Sequence, residues 1–407
     1  MSEADVGRRG FLKIAFAGAT ALAVGSALGY FAREGEVSTL KVENEALKKK
    51  VEELSSSLGV EVPTETQKNL NVYNWTWYAN LALVDQWAKE NKVNLVYEFF
   101  EDLDTAITTI TTGAANYDIV VISDNEAEEL WNEGYLQSID LDKIPNFEYL
   151  PEGFKGLPYD PNNEFTVVYS YGTTGLGFNS DACPEGVSKW EDVFDVDNPD
   201  SIIRRYAGKV TMMRDSSETM GAAAIYLGYD IDTTDEKELK DIVDLLIAQK
   251  PYLYGYVQTE DYMDELPVAA RYCVSHAWNG DIAGIVYASD EYEVYIEKYY
   301  ENVKYVVPEE GAIAWYDNFV IPKNAKNVDV AHEFINWFLQ PEVSAIHTIT
   351  IKYPYPAGVK YVPKEILEDP MIFTPEELWD KLHVGRALTP EEKAIRESYW
   401  NMVMTAT

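Results

Sequence analysis

The chain has 407 residues, of which 46% are hydrophobic and 13% aromatic, and this composition argues for two folded domains and against a disordered protein. The formal net charge of −36 argues against nucleic acid and anionic membrane surfaces as partners, because both would repel the chain. Neither the two cysteines nor the four histidines have the spacing of a zinc site, so no metal and no other cofactor is predicted. Cys183 and Cys273 could form a single disulfide outside the cell, but they are expected to be unpaired core residues.

Residues 1–32 have the features of an export segment. Arg8-Arg9-Gly10-Phe11-Leu12-Lys13 matches the twin-arginine pattern, and an uncharged apolar run from Ile14 to Ala32 follows it. The run is just long enough to cross a bilayer, so the segment is either a cleaved signal or a retained membrane anchor. Both alternatives predict a body outside the cytoplasm, in the periplasm or at the cell surface.

A heptad pattern in residues 33–58 predicts a short coiled-coil stalk that self-associates, with a lone surface helix as the alternative. Residues 59–69, which include Pro63, are predicted to be a linker. The a positions are Val37, Asn44, Val51 and Leu58, and the d positions are Leu40, Leu47 and Leu54.

From residue 70 onward, alternating strand and helix patterns predict an α/β fold with a mostly parallel sheet. The Gly172–Gly177 run does not have the dinucleotide-binding order and opens no helix, so an extended crossing segment is expected there. The predicted strands are Asn71–Tyr73, Val93–Phe99, Tyr117–Ile122, Phe165–Tyr171, Lys209–Met213, Tyr272–Ala277, Val303–Pro308, Ala312–Trp315 and Phe319–Ile321. The predicted helices are Leu81–Asn91, Asp104–Thr112, Glu126–Glu133, Glu218–Leu227, Glu236–Ala248 and Val328–Leu339, with a mostly helical tail from Lys364.

The stretch Val72–Tyr78 begins as a strand and ends in a group of aromatic side chains. Trp75, Trp77 and Tyr78 stand where the chain should turn into a helix. Ligands of α/β sheets collect at the carboxyl ends of strands, so these rings are interpreted as one wall of a binding cleft. Taken alone, the two tryptophans could equally cover the edge of the core.

Acidic and aromatic residues also occur together at other predicted strand ends. The three segments are Ser123-Asp124-Asn125, Trp278-Asn279-Gly280-Asp281 and Trp315-Tyr316-Asp317. Asp215 and Glu218 stand one turn apart at a predicted helix start, where helix capping explains them equally well. A desolvated organic cation needs both carboxylates and ring faces, so the pattern favours a small cationic ligand.

Residues 70–360 resemble the spermidine/putrescine-type substrate-binding proteins of ABC transporters, which have the two-lobed periplasmic-binding-protein fold with a hinge. The resemblance depends on many short motifs in the right order. They are Asn74-Trp75-Thr76-Trp77-Tyr78, Tyr117–Ser123, Asp160-Pro161-Asn162-Asn163, Tyr171-Gly172-Thr173, Gly177-Phe178-Asn179, Ser188–Val193, Trp278-Asn279-Gly280-Asp281, Trp315-Tyr316-Asp317, Ile321–Ala325 and Tyr353-Pro354-Tyr355-Pro356.

The resemblance implies that a linear polyamine is captured between two closing lobes and delivered to an ABC permease. It assigns residues 70–172 to lobe 1, completed by about residues 310–350, and residues 173–309 to lobe 2. Residues 351–407 would form a helical segment that packs on the lobes. The ligand-binding residues that it implies are Trp75, Thr76, Tyr78, Ser123, Asp215, Glu218, Trp278, Asp281, Trp315 and Asp317.

Two positions depart from the family pattern. Trp77 stands where the family usually has an acid, and Asn125 stands near a position where an aromatic residue is common. Both changes alter the pocket wall, so Trp77 is added to the predicted ligand-binding residues and the identity of the amine stays open.

Two other functions remain open at this point. The same fold could bind a quaternary amine, an amino acid or a sugar, since Trp77 adds a ring suited to such ligands. A glycoside hydrolase could use a carboxylate pair such as Asp215 and Glu218. The sequence has no nucleophile–base motif, so no enzymatic activity is expected.

Overall fold

The computed structural model describes residues 68–100, 103–287 and 298–406. The predicted export segment, the stalk and all but the last two residues of the predicted linker therefore lie outside the described residues. The chain divides into two units. Of the described residues, the smaller unit contains 68–69 and 81–95, and the larger unit contains 70–80 and everything from residue 96 onward. No helix within the described ranges combines the length and the apolar character needed to cross a bilayer.

The elements largely follow the predicted order. The strands are β1 (Lys68–Trp75), β2 (Val93–Phe100), β3 (Ile119–Ser123), β4 (Val167–Asn179), β5 (Val210–Met213), β6 (Leu253–Val257), β7 (Val274–Trp278), β8 (Val303–Val306), β9 (Ala312–Val320) and β10 (Leu382–Val384). The helices are α1 (Leu81–Glu90), α2 (Leu103–Thr112), α3 (Asp124–Asn132), α4 (Glu191–Phe194), α5 (Ile202–Arg205), α6 (Ser216–Leu227), α7 (Glu236–Gln249), α8 (Thr259–Glu265), α9 (Asn279–Tyr287), α10 (Val328–Phe338), α11 (Pro341–Ile351), α12 (Lys364–Leu367) and α13 (Pro390–Thr405).

The described part of the smaller unit is dominated by α1. Val84, Trp87 and Ala88 are its buried residues. The Asn91 side chain donates a hydrogen bond to the Trp87 carbonyl at 2.9 Å and satisfies one of the carbonyls that a helix end leaves unpaired.

The larger unit contains a mixed sheet. Its strand order is β1-β3-β9-β4-β7-β5-β6, with β10 beside β9 and β8 beside β4. The pairs β1–β3, β5–β6, β5–β7 and β9–β10 are parallel, whereas β3–β9, β4–β7, β4–β8 and β4–β9 are antiparallel. The prediction of a mostly parallel sheet was therefore wrong, because the long strands β4 and β9 pass back through the middle of the sheet.

Strand β9 runs without interruption from Ala312 to Val320. The sequence predicted two strands with Trp315-Tyr316-Asp317 at the end of the first, and this was wrong. Strand β3 pairs with residues 317–320 of β9 on one side, and β4 pairs with residues 313–319 on the other, so β9 continues through Asp317 without a turn. The same extended conformation continues through the glycine-rich part of β4, as predicted.

The described residues of the larger unit include two clusters of buried hydrophobic side chains. One gathers residues around β1 and β3, such as Tyr73, Val120 and Phe165. The other lies around β5 and β7 and includes Cys183 and Cys273, which are buried and form no disulfide, as predicted. Helix α13 adds Trp400 and Val403 to this second core. The tail is only partly helical, because β10 lies within it.

Candidate ligand-binding site

The first wall is formed where β1 ends at Trp75. The Trp75 ring packs against Phe100 with 4.5 Å between centroids, and its indole nitrogen Nε1 is buried without a hydrogen-bond acceptor. The next residue, Thr76, is fixed to the Phe100 carbonyl through its backbone N–H at 3.2 Å and its hydroxyl at 3.4 Å. The indole N–H of Trp75 is thus an unsatisfied buried donor. Such a donor ordinarily destabilises a fold by about 1–3 kcal/mol.

Trp77 and Tyr78 point to different surroundings. Trp77 has a backbone φ of 56° and a side chain that is 61% exposed. Tyr78 is buried, and its hydroxyl donates a 2.6 Å hydrogen bond to Asp317 Oδ2. The Tyr78 carbonyl accepts hydrogen bonds from the hydroxyls of Tyr169 and Tyr355. Because three hydrogen bonds fix Tyr78, its ring is a rigid part of the site.

Asp317 lies in the middle of β9, between two serines on neighbouring strands. It is paired with Ser123, the last residue of β3, and with Ser170 on β4. Burial and, to a smaller extent, the nearby charge of Glu126 raise the pKa of Asp317, and the hydrogen bond from Tyr78 lowers it, so that the resulting pKa is about 7. A cation bound at Asp317 would restore the charge that burial disfavours.

Trp315 stands two residues before Asp317 and so lies on the same face of β9. Its neighbour on β4 is Gly172, where an added Cβ atom would lie 2.3 Å from Trp315 Cζ2. Glycine is therefore required at this position for the indole to lie across β4. The Trp315 ring is 5.5 Å from the Tyr353 ring, and its Nε1 is buried without an acceptor.

Glu218 and Asp215 lie at the start of α6 but have different environments. Asp215 is the N-cap residue, and its carboxylate accepts a hydrogen bond from the Glu218 backbone N–H at 3.0 Å. Glu218 Oε1 accepts a hydrogen bond from Trp278 Nε1 at 3.1 Å, whereas Oε2 is buried without a donor. Burial, followed by the charge of Asp215, raises the pKa of Glu218 to about 8. The capping interpretation thus applies to Asp215 and does not account for Glu218.

Asp281 lies in the first turn of α9, directly after β7 ends at Trp278. Its Oδ1 accepts a hydrogen bond from Tyr353 at 2.8 Å, and its Oδ2 accepts one from Tyr262 at 2.5 Å. Burial raises its pKa to about 6. In the described part of the chain, no lysine or arginine contributes to the pKa of either Asp281 or Asp317.

Four of the predicted residues, Tyr78, Asp281, Trp315 and Asp317, are joined by a tyrosine that the sequence interpretation missed. Tyr353 joins the parts of the site, because its hydroxyl reaches Asp281 while its ring contacts those of Tyr78 and Trp315. The only signal for it was the Tyr353-Pro354-Tyr355-Pro356 motif. Glu126 was also missed, although its charge acts on Asp317 and on Glu218.

Other sites are less suited to a ligand of this kind. No group of three or more acidic, cysteine or histidine side chains able to hold a metal ion occurs within the described residues. A surface cavity of about 310 Å³ is lined by residues 185–205. Two of its acids, Glu185 and Glu191, already have ion-pair partners in Arg205 and Lys189.

Most of the chain is similar to known solute-binding proteins, which is the class of protein predicted from the sequence motifs. A family model described as a bacterial extracellular solute-binding protein matches residues 82–374. The spermidine/putrescine-binding periplasmic protein of Escherichia coli is 30% identical over 315 residues, which cover 76% of this chain and 84% of that protein. A putrescine-binding periplasmic protein of Pseudomonas aeruginosa is 29% identical over 360 residues, or 86% of this chain and 95% of its own.

A solved structure has the same fold. It is the spermidine/putrescine ABC transporter substrate-binding protein of Streptococcus pneumoniae, with a TM-score of 0.72 and 25% identity. The alignment covers 83% of this chain and 99% of that one. The mixed α/β architecture described above is therefore the periplasmic-binding-protein fold.

Proposed function

The chain belongs to the bacterial extracellular solute-binding protein family, and we propose that it captures a polyamine outside the cytoplasm for an ABC importer. The family consists of solute-binding proteins rather than enzymes, in agreement with the expected lack of enzymatic activity. The relatives named for spermidine and putrescine support a linear amine with two or more ammonium groups as the ligand.

The observation that carries the proposal is the set of buried carboxylates beside aromatic rings. Asp317 is hydrogen-bonded to Tyr78, Glu218 to Trp278, and Asp281 to Tyr353. Burial raises the pKa of all three carboxylates, so each gains from a cationic partner. Ammonium groups supply that charge, and a ring face adds about 0.5–2 kcal/mol for each well-placed cation.

In this proposal the two halves of the sheet supply different contacts. Trp75, Thr76, Tyr78 and Ser123 would contact the ligand from the β1–β3 side, together with Trp315 and Asp317 on β9. Asp215, Glu218, Trp278 and Asp281 would contact it from the β5–β7 side. Trp77 belongs to the proposed ligand-binding residues because of its position in the sequence motif. Its side chain is exposed, so its contact with the ligand is tested separately below.

Calorimetric titration with putrescine, spermidine and spermine tests the proposal. Saturable heat with at least one amine, together with a thermal shift, is expected. Absence of both with all three amines would refute polyamine binding. The Trp77→Gly variant tests the remaining residue, since glycine tolerates the positive φ and unchanged affinity would remove Trp77 from the site.

One observation favours a second candidate, a solute that also carries hydrogen-bond acceptors, such as an amino acid or a sugar. The indole nitrogens of Trp75 and Trp315 are buried donors without acceptors, and a polyamine in its charged form offers them none. A thermal-shift screen that compares polyamines with betaine, choline, glutamate and maltose separates the two candidates. A larger shift with glutamate or maltose would favour the second.

We also propose a membrane-tethered form of the protein. The twin-arginine pattern and the apolar run to Ala32 support an uncleaved anchor, and the heptads of residues 33–58 support self-association. Mass spectrometry of the exported protein tests the anchor, because a cleaved signal would be missing from the mature mass. Light scattering on chains that begin at residue 33 or at residue 59 tests the stalk, since only the longer chain should self-associate.

A further inference from the structure

The acids at the start of α3 are not among the residues that the family pattern supplied. Strand β3 ends at Ser123 and α3 begins at Asp124 without a loop, so Asp124 and Glu126 lie in the first helical turn beside the β9 position of Asp317. Acids in a first turn commonly interact with the helix dipole. An interaction with the helix dipole does not require a hydrogen-bond donor at any particular carboxylate oxygen.

Asp124 is only 3% exposed, and its buried Oδ2 has no hydrogen-bond donor among the residues that the structure describes. Its other oxygen, Oδ1, accepts a 3.1 Å hydrogen bond from the backbone N–H of Asn125. Buried carboxylate oxygens are normally satisfied by donors, so Oδ2 marks a place where a donor is missing. An ammonium group offers three donors together with the opposite charge.

Asp124, Glu126 and Asp317 are close enough to influence one another electrostatically. The charges of Glu126 and Asp317 both raise the pKa of Asp124, and the charge of Glu126 raises that of Asp317. Glu126 also acts on Glu218 and is influenced by Asp215, both at the start of α6. Lys393 is the cation that influences Glu126, and its ammonium is paired with Glu129.

We infer that Asp124 and Glu126, together with Asp317, form an additional ammonium subsite that makes this protein prefer a triamine to a diamine. The inference depends on the proposed polyamine function. In this inference Asp281 and Glu218 pair with the two ammonium groups of a diamine in the cleft, without a contribution from the α3 acids. A triamine places a third ammonium there, and the buried unpaired oxygen of Asp124 supplies its acceptor.

The same acids favour an organic cation over a metal ion. No arrangement of three or more such side chains that could hold a metal occurs within residues 68–100, 103–287 and 298–406. The carboxylates belong instead to two different elements, the first turn of α3 and the strand β9. A chain of methylenes with separated ammonium groups fits spaced carboxylates, with the rings of Tyr78 and Trp315 on the same β9 face as Asp317.

The test compares Glu126→Gln and Asp124→Asn with Glu133→Gln, an exposed acid at the other end of α3. The full-length variants are titrated calorimetrically with spermidine and with putrescine. Each α3 variant should weaken spermidine binding at least tenfold while putrescine binding changes less than threefold, and Glu133→Gln should change neither. Equal weakening of both amines, or no weakening of either, would overturn the inference.

A thermal melt without amine separates a binding role from a structural one. Removing one charge from a group of like charges should leave the melting temperature of Glu126→Gln equal to or above that of the wild type. A clear fall would indicate that Glu126 stabilises the fold and would overturn the inference. If the wild type binds neither amine, the proposed function fails as well. If it binds spermidine and the ratio of the two affinities is unchanged in both variants, the inference alone fails.

Discussion

The Tyr78 hydroxyl and the Asp317 carboxylate are 239 positions apart in the chain and are joined by a 2.6 Å hydrogen bond. The bond connects the segment that follows β1 with the middle of β9. It stabilises the charged form of Asp317 against a burial effect that raises its pKa to about 7. The fraction of Asp317 that is charged near neutral pH, and so able to pair with a cation, therefore depends partly on Tyr78.

The first prediction concerns Tyr78→Phe, which keeps the ring and removes the donor. The pKa of Asp317 should rise further, because a hydrogen bond to a charged group is worth about 1.5–3 kcal/mol. Polyamine affinity should then reach its plateau at a higher pH than in the wild type, in calorimetric titrations from pH 6 to pH 9. Tyr229→Phe, which removes a 2.8 Å hydrogen bond to Asp241, should leave the profile unchanged. Identical profiles for Tyr78→Phe and the wild type would contradict the assignment.

The second prediction concerns stability without ligand. Burial raises the folded-state pKa of Asp281 to about 6, of Asp317 to about 7 and of Glu218 to about 8. The folded state therefore holds more protons than the unfolded chain between about pH 4 and pH 8, so stability falls as pH rises through this window. The melting temperature without amine should be lower at pH 8 than at pH 5, and a bound amine should reduce the difference. A melting temperature that rises over the same range without amine would show that other groups dominate.

The third prediction concerns the loss of a cleft charge. Asp281→Asn and Asp317→Asn should each weaken spermidine binding by about tenfold or more, since removing one member of a buried charge pair costs about 2–5 kcal/mol. Asp329→Asn is the matched control, because its side chain is 82% exposed and pairs with Lys143 at the surface. Calorimetry on all three variants checks the prediction. Wild-type affinity in both cleft variants would move the binding site elsewhere.

The fourth prediction concerns Gly172→Ala. The new Cβ atom would lie 2.3 Å from Trp315 Cζ2 and 2.4 Å from Asn279 Oδ1, so the indole or the strand must move. Overpacking of this kind costs about 1–3 kcal/mol, and displacement of Trp315 should also weaken ligand binding. Gly255→Ala is the control, since an added Cβ atom there has no neighbour within 4 Å. Gly172→Ala should therefore have a lower melting temperature and a weaker ligand affinity than Gly255→Ala. Equal melting temperatures and affinities would indicate that the Trp315 ring can move without loss of stability.

The fifth prediction concerns the packing of the tail. Trp400→Ala should reduce the free energy of unfolding by about 3–5 kcal/mol, because Trp400 is 6% exposed and belongs to the core around β5 and β7. Trp379→Ala should cost less, since that ring is 37% exposed. Denaturant unfolding of both variants measures the difference. A small effect at Trp400 would mean that α13 contributes little to this core.

The ends of β1, β3 and β7 could be predicted from the sequence because a buried run stops at a visible signal. Trp75, Ser123 and Trp278 each follow at least three buried residues and are themselves followed by polar or turn-forming residues. The position of Asp317 could not be predicted in this way. A polar residue inside a strand has the appearance of a strand end, and only the pairing of β9 with β3 and β4 shows otherwise.

The tyrosine hydroxyls were not predictable from local sequence. The segments around Tyr169, Tyr262 and Tyr355 have no pattern that distinguishes these residues from ordinary core tyrosines. Their hydrogen-bond partners are not local in the chain. The short strand β10 has three residues, which is too few to produce a periodic pattern. Its pairing with β9 depends on tertiary contacts rather than on its own residues.

The unbroken course of β9 limits how a protein of this design can change its ligand. Trp315 and Asp317 share one face only because they stand two residues apart in a strand paired on both sides. Insertion or deletion of one residue before Asp317 would turn every later side chain to the opposite face and would misalign both neighbouring strands. If Trp315 and Asp317 bind the ligand as proposed, new specificities evolve here by exchange of side chains, whereas changes of length are restricted to the loops.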